Sequence, residues 1–416
     1  VKNAKGEVES ITEVARVSVA LQQMIALKQC VHLFAKPPKF TSLRNGDIER
    51  FTRFKEYWTQ RNASSALYLM AKSALSTGDG AIYFYMAEKE LQYTTWSYKD
   101  GDMLIPVYKK DGVTLKSFVR RYSSVDNDGK NHDTIDIITD KTIERRRLDG
   151  GNWVPLDAPI AHGFHQIPVA YHRENDVAWG AGQDLIDKIE RLLSDVRESN
   201  AYFAFGILFL SGDDVNILPP KTTQGKVITS RDKDADAKLL KSDDMSPALK
   251  FEFDRYSKEL FRTTGTVIID PEVLKGGDQS GAYIKNLYND AIQYAMDAKP
   301  RWQNVLDSIV SIVKEGLGRE SVETLDYKKL TVISEPDIYI PMNTAEEIQM
   351  VNQSKVAGTI SIQTAAEKIE LAAPDEMERL KKQAEEEAKK QAEEAAKRAE
   401  EATRQSGEVV KKDNDE

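Results

Sequence analysis

The sequence predicts an α+β protein in which long amphipathic helices flank an antiparallel β meander, and three observations lead there. Apolar residues recur every three or four positions over 11–34, 48–76, 183–205 and 246–264, the period of one buried helix face. Between about 81 and 172 the period falls to two, in segments rich in Val, Ile, Thr, Tyr and Trp. Asp-Gly pairs punctuate those segments at Asp100-Gly101, Asp111-Gly112, Asp128-Gly129 and Asp149-Gly150, and both residue types tolerate the positive φ of tight hairpin turns.

In chain order, the helices over 11–34 and 48–76 are separated by Lys36-Pro37-Pro38, which cannot continue a helix, and by the Asn45-Gly46-Asp47 turn. The meander follows Gly78, and a late strand over 330–340 is expected to join it. The helix over 183–205 carries Leu185, Ile189, Leu192, Val196 and Phe203 on one face. Asp187, Lys188, Glu190, Arg191, Asp195, Arg197 and Glu198 line the other, and the rise of about 1.5 Å per residue makes it roughly 35 Å long. The helix over 246–264 opens with Ser246 as N-cap and Pro247 in its first turn, shows the stripe Leu249, Phe253, Tyr256 and Leu260, and closes at Arg262 and Gly265.

Lys275-Gly276-Gly277-Asp278-Gln279-Ser280-Gly281 reads as a flexible loop, because its glycines remove steric restriction while Asp and Ser compete for backbone hydrogen bonds. Gly276 and Gly281 have the spacing of a phosphate-binding loop. Ala282 and Tyr283, however, stand where Lys and Ser or Thr would neutralise phosphate and hold magnesium. From Ala282 a helical pattern runs through Leu287, Ala291, Ala295, Trp302, Leu306, Ile309 and Val313, with Gly316 and Gly318 expected to stop it. Pro300 inside the run predicts a kink.

Apparent metal sites fail on spacing. Asp126, Asp128 and Gly129 resemble part of a calcium loop, but its first ligand would be Ser124 and its twelfth-position glutamate Ile135, so a turn is the better reading. His162 and His165 lie among Pro159, Gly163 and Pro168, which disfavour a helix presenting both to one ion. Pro336-Asp337 lacks the Glu-x-Lys that would follow in a common nuclease core. No nucleophile, metal cluster or nucleotide motif accompanies these elements, which predicts a non-enzymatic protein without cofactor.

With 416 residues, 40% hydrophobic and 30% charged, the chain can bury a substantial core and form more than one folding region. Cys30 is its single cysteine, which excludes an intrachain disulfide or thiolate zinc site. Residues 21–31 are interrupted by Gln22, Gln23, Lys28 and Gln29, leaving no apolar run long enough to cross a bilayer. The first residues carry no signal-peptide pattern, so a reducing cytoplasm is the expected home. A net charge of −9 argues against tight general binding to nucleic acid.

Near the carboxyl end, Thr344 with Glu347 and Thr364 with Glu367 have capping-box spacing, and Gly358 can end the first of those helices. From Pro374 the apolar face shrinks to alanines, while Glu385 to Lys389, Glu386 to Lys390, Glu393 to Lys397 and Glu394 to Arg398 supply four-apart ion pairs. Such a helix can stand in water.

From about Ser10 to Gln405 the chain resembles the portal, or head-to-tail connector, proteins of tailed bacteriophages. The resemblance is carried by Gly78-Asp79-Gly80-Ala81-Ile82-Tyr83, by His165-Gln166-Ile167-Pro168-Val169-Ala170-Tyr171, by Gln183-Asp184-Leu185-Ile186-Asp187, and by Gly358-Thr359-Ile360-Ser361-Ile362-Gln363-Thr364-Ala365-Ala366 before an acidic helix. Their succession in this order is more specific than any one of them.

The resemblance implies a ring of usually twelve subunits at one capsid vertex, passing double-stranded DNA during packaging, retention and ejection. It implies a wing over 1–182, a first stem helix over 183–205, a small β-containing clip over 206–245 and a second stem helix over 246–265. A tunnel loop over 266–281 would face DNA, and a kinked helix over 282–316 would bridge stem and wing. A wing return strand over 317–341, crown helices over 342–405 and a disordered tail over 406–416 complete the expectation. Leu185, Ile189, Leu192, Val196, Leu249, Phe253, Tyr256 and Leu260 would pack the stem. A ring of such acidic chains would repel DNA from its walls, with Lys275, Lys250, Lys258 and Arg262 as candidate basic contacts in the lumen. The implied partners are a terminase motor that hydrolyses ATP, a head-tail adaptor and the major capsid protein, with a scaffolding protein as a further candidate, and no membrane. The implied place is the virion, after assembly in the host cytoplasm. The alternative is another ring-forming phage adaptor or scaffold without a DNA-gating loop.

Overall fold

The computed structural model describes residues 16–44, 47–112, 114–126, 128–203, 207–211, 236–240, 246–268, 281–320, 327–339 and 344–359, with Ala365, Lys382 and Glu385. The chain divides into two compact units, Val1–Lys275 with Leu287–Ile340, and Gly276–Asn286 with Pro341–Glu416. Helix and sheet are mixed throughout the first.

The first unit opens with α1 (Leu21–Phe34), α2 (Ile48–Gln60) and α3 (Ala63–Thr77). The helix expected from residue 11 does not include 16–19, and Ala20 only caps it, its carbonyl accepting from Met24 N–H. The helix expected over 48–76 is two helices, because Asn62 takes a left-handed conformation at φ 52° and reverses the chain between them. Tyr93 Oη donates to the carbonyls of Arg61 and Asn62, holding that break. Burial of Ala63, Ala66, Leu67, Met70, Ala71, Ala74 and Leu75 makes α3 the central helix, its small residues letting neighbours approach closely.

The β region is two sheets rather than one meander. β2 (Asp79–Ala87), β3 (Glu90–Trp96) and β10 (Val169–Arg173) form a three-stranded sheet in the order β10-β2-β3. The second sheet comprises β4 (Met103–Tyr108), β5 (Leu115–Val125), β6 (Asn131–Ile138), β7 (Thr142–Asp149) and β8 (Asn152–Pro155) in sequence order, with β9 (Ile160–Ala161) also on β7. All its pairings are antiparallel. Gly101, Gly112, Gly129 and Gly150 have positive φ, as tight Asp-Gly turns require. A small core of Ala81, Trp96, Leu104, Phe118, Ile138 and Val169 joins the two sheets.

The late strand joins neither. β13 (Val332–Glu335) pairs antiparallel with β1 (Lys39–Ser42), a strand that follows the Pro37-Pro38 breaker and escaped the periodicity reading because it is only four residues long. α7 (Asn289–Glu320) crosses the main core, burying Ala295, Trp302, Leu306, Ile309 and Val313. Phe34 meets Trp302 edge-on at 4.9 Å between centroids, and Phe40 meets Trp58 at 4.6 Å.

The helical run expected over 282–316 is broken at Tyr288 and extends past its expected end. α7 passes through Pro300 and continues beyond Gly316 and Gly318 to Glu320. Gly316 is a contact residue instead of a stop: a Cβ there would lie 2.6 Å from both Cδ atoms of Leu91.

The remaining helices of the first unit, α4 (Gln183–Phe203) and α5 (Ser246–Thr263), are joined through a segment containing β11 (Ile207–Ser211) and β12 (Asp236–Leu240), which pair antiparallel. In the second unit, α6 (Gly281–Leu287) belongs to it up to Asn286, and α8 (Thr344–Val356) ends at Gly358, whose φ is 70°. Thr359 N–H donates to Ser354 O there, closing the helix end. The expectations for 360–405 beyond Ala365, Lys382 and Glu385, for the tail over 406–416, and for most of the clip lie outside the described residues.

Candidate functional site on the paired helices

α4 starts where the chain turns through Gly180, Ala181 and Gly182. Its amphipathic face places Ile186 and Ile189 in the main core, with Leu185 and Leu193 packed partly buried beside them. Leu192 and Val196 are half-buried and lie outside that core. The buried line of α4 is thus rotated from the predicted one toward Ile186 and Leu193. Residues 16–20 run along the flank of α4 beside that line: Val17 N–H donates to Ser194 Oγ at 2.9 Å and Val19 N–H to Glu190 Oε1 at 2.9 Å.

α5 lies against α4, with Leu260 fully buried and Tyr256 packed on the core. Leu249 is half-buried. Phe253 is 37% exposed and Phe251 65% exposed, so the amino-terminal part of α5 presents aromatic surface to solvent in the single chain. The end of α5 is closed by a hydrogen bond from Thr266 N–H to Phe261 O around Gly265, whose φ is 59°. Gln29 Nε2 donates to Thr264 O at 2.6 Å, tying this end to α1.

Lys250, Lys258 and Arg262 are all exposed and fall within about a third of the helix circumference, opposite the stripe Leu249, Phe253, Tyr256 and Leu260. Asp254 shares their arc, which leaves it with a net positive charge. Lys275, Gly276, Gly277, Asp278, Gln279 and Ser280 lie outside the described residues, and Gly281 is the first residue of α6.

Pro300 sits on the exposed side of α7, as does Met296, the residue whose carbonyl loses a helical donor to the proline ring. The turn that follows holds a cluster the sequence reading missed. Arg301 Nε lies 3.5 Å from Glu174 Oε2, His172 Nε2 lies 2.9 Å from Glu174 Oε1, and the Trp302 ring centroid is 4.0 Å from that of His172. Burial would raise the Glu174 carboxyl, but the His172 hydrogen bond and the charges of His172 and Arg301 outweigh it and hold the group below its ordinary value. The alternation of His172 and Glu174 at the end of β10 was the available signal; their partner, more than a hundred residues away, had none.

The other histidines are likewise committed to structure. His162 Nε2 donates to Thr139 O at 3.0 Å while its Nδ1 accepts from Phe164 N–H at 3.1 Å, using both ring nitrogens. His165 Nδ1 is 2.8 Å from Glu315 Oε1, His132 Nε2 is 2.7 Å from Asp126 Oδ2, and His32 Nδ1 is 3.0 Å from Tyr339 O. Asp126 Oδ1 also accepts from the N–H groups of Asp128 and Lys130, the geometry of a closed turn. Among the described residues no group of His, Cys, Asp and Glu could hold a metal ion, and no helix is long and apolar enough to cross a membrane.

A family model described as phage portal protein, SPP1 Gp6-like, matches residues 13–390. No curated protein matches the chain. Among solved structures, a chain from the neck of an empty gene transfer agent particle, computed with C6 symmetry, is similar at 14% identity and TM-score 0.45, covering 82% of this chain and 86% of that one. A chain from the virion of the native particle is similar at 10% identity and TM-score 0.39, with 82% and 85% covered.

Proposed function

Because the chain belongs to the SPP1 Gp6-like phage portal protein family, we propose that it is the subunit of a ring at one capsid vertex through which double-stranded DNA is packaged, held and ejected. The observation that carries the reading is the family match over 13–390, which takes in the α4–α5 pair, the glycine-rich loop and α7. In this reading α4 and α5 form the channel stem and 276–281 the loop that meets DNA. The acidic chain keeps the bore from binding phosphate strongly, and Lys250, Lys258 and Arg262 offer brief contacts. The exposed Phe251 and Phe253 and the half-buried Leu192 and Val196 find partners on neighbouring copies. Terminase supplies ATP hydrolysis and docks, as the head-tail adaptor later does, on the segment between α4 and α5. The ring contains twelve copies. Negative-stain images of the purified protein test the reading: a closed annulus with an axial hole is expected, and a chain found only as isolated globules, in solution and in particles, overturns it.

A further inference from the structure

The sheet from β4 to β9 has two uncovered apolar edges, and they lie on opposite faces. Directly paired residues of neighbouring strands point to the same side. The register therefore carries one face from Leu104 through Arg120 and Asp136 to Arg145, and the other from Ile105 through Val119 and Ile137 to Glu144. The first face packs on the three-stranded sheet through Leu104, Phe118 and Ile138. On the second, Met103, Ile105 and Val107 at the β4 edge are 49%, 41% and 37% exposed. At the far edge Val154 pairs with Arg147 and Ile160 with Ile143, placing both on the first face, where they are 47% and 64% exposed.

The two edges also differ in charge. Residues 103–111 include Lys109 and Lys110, both exposed, and a single acid, Asp111, whose Oδ1 accepts from Thr114 N–H at 2.9 Å. Residues 148–162 include Asp149 and Asp157, both exposed, and no lysine or arginine. Behind that edge, Arg145 is held by Asp136 at 2.9 Å and Arg146 by Glu144 at 2.7 Å, while Arg147 is half-buried.

A head-to-tail ring needs two different, complementary patches on opposite sides of each subunit, whereas a two-fold dimer needs one patch that matches itself. We infer that neighbouring copies of this chain overlap like shingles through this sheet. The second face at the β4 edge of one copy laps the first face at the β8–β9 edge of the next, with Lys109 and Lys110 set against Asp149 and Asp157. Pro106 on β4 and Pro155 on β8 lack the N–H that would extend a ladder, so the joint is made by side chains. The inference rests on the ring reading above and adds the surface that closes the ring.

Cysteine pairs test it in the full chain, since native Cys30 is fully buried. Ile105→Cys/Ile160→Cys and Met103→Cys/Val154→Cys proteins are oxidised after assembly and compared on non-reducing gels with each single variant. At least one pair is expected to give a ladder of covalent multimers, because a disulfide forms only where Cα atoms come within about 7 Å, and no single variant should give even a covalent dimer. In parallel, Lys109→Glu/Lys110→Glu is expected to raise the concentration needed for assembly several-fold, and adding Asp149→Lys/Asp157→Lys should restore it. Rings seen by microscopy with no ladder from either pair, or a covalent dimer from a single variant, which would mean that like edges meet, overturn the lap joint and leave the ring. A wild-type chain that stays monomeric at every concentration overturns both.

Discussion

Gly182 lies directly beneath Leu260: a Cβ on the glycine would stand 2.4 Å from Leu260 Cδ1 and 3.1 Å from Thr264 Cγ2. The start of α4 and the end of α5 therefore approach as closely as a missing side chain allows. This contact sets how the two helices leave the core.

Gly182→Ala should overpack the crossing and lower stability by about 1–3 kcal/mol. Leu260→Ala should lower it by about 2–5 kcal/mol through a cavity. Because one substitution fills part of the space the other empties, the double variant should be more stable than the sum of the two effects predicts. Denaturant unfolding of the three proteins measures this, and strict additivity would show that the contact does not exist.

Gly316→Ala separates packing from helix termination. Alanine is favoured over glycine inside a helix by about 1 kcal/mol, yet its Cβ would meet both Cδ atoms of the fully buried Leu91. Net destabilisation is expected, relieved by Leu91→Val. A rise in melting temperature for the single variant would count against the close approach.

Glu315 links α7 to the segment before β10: His165 N–H donates to its Oε1 at 2.6 Å and Gln166 Nε2 to its Oε2 at 3.1 Å. Burial would raise its carboxyl, but these hydrogen bonds and the nearby Arg319 charge outweigh it and hold the group below its ordinary value. With the folded value below the unfolded one, its stabilisation is present above the usual glutamate range, near pH 4.3, and is lost as pH falls through the folded value. Glu315→Gln should weaken the fold by about 1–3 kcal/mol at pH 7 and make the acid limb of the stability curve shallower. Equal loss at pH 7 and pH 3 would contradict the linkage.

Leu192→Asp/Val196→Asp should cost about 1 kcal/mol or less of chain stability, because these side chains lie outside the core, while abolishing ring formation. Ile189→Asp should instead unfold the chain by burying a charge. Thermal melts read the first effect and electron microscopy the second. Normal ring yield from the double variant would remove both positions from the inter-subunit contact.

Deleting 276–281 should leave rings intact and impair packaging or retention of DNA. An unchanged packaged-genome length would argue against a gating loop.

Local signals in the chain suffice for the existence of the longer helices and for the hairpin turns, since each depends on residues a few positions apart, but not for the helix breaks at Asn62 and Tyr288 or for the end of α7 beyond Gly318. The 3.6-residue period marks α4 and α5, and the Asp-Gly pairs mark turns whose glycines do have positive φ. What no local pattern encodes is partner choice: that β13 pairs with β1, that the β region splits into two sheets, that Glu174 meets Arg301, and that Gly316 makes room for Leu91. Those pairings join residues far apart in sequence, and burial and packing select among them only once the whole core has closed. Even the face of α4 follows this division, because periodicity shows that a stripe exists, while the closed core decides that it runs through Ile186, Ile189 and Leu193 and leaves out Leu192 and Val196.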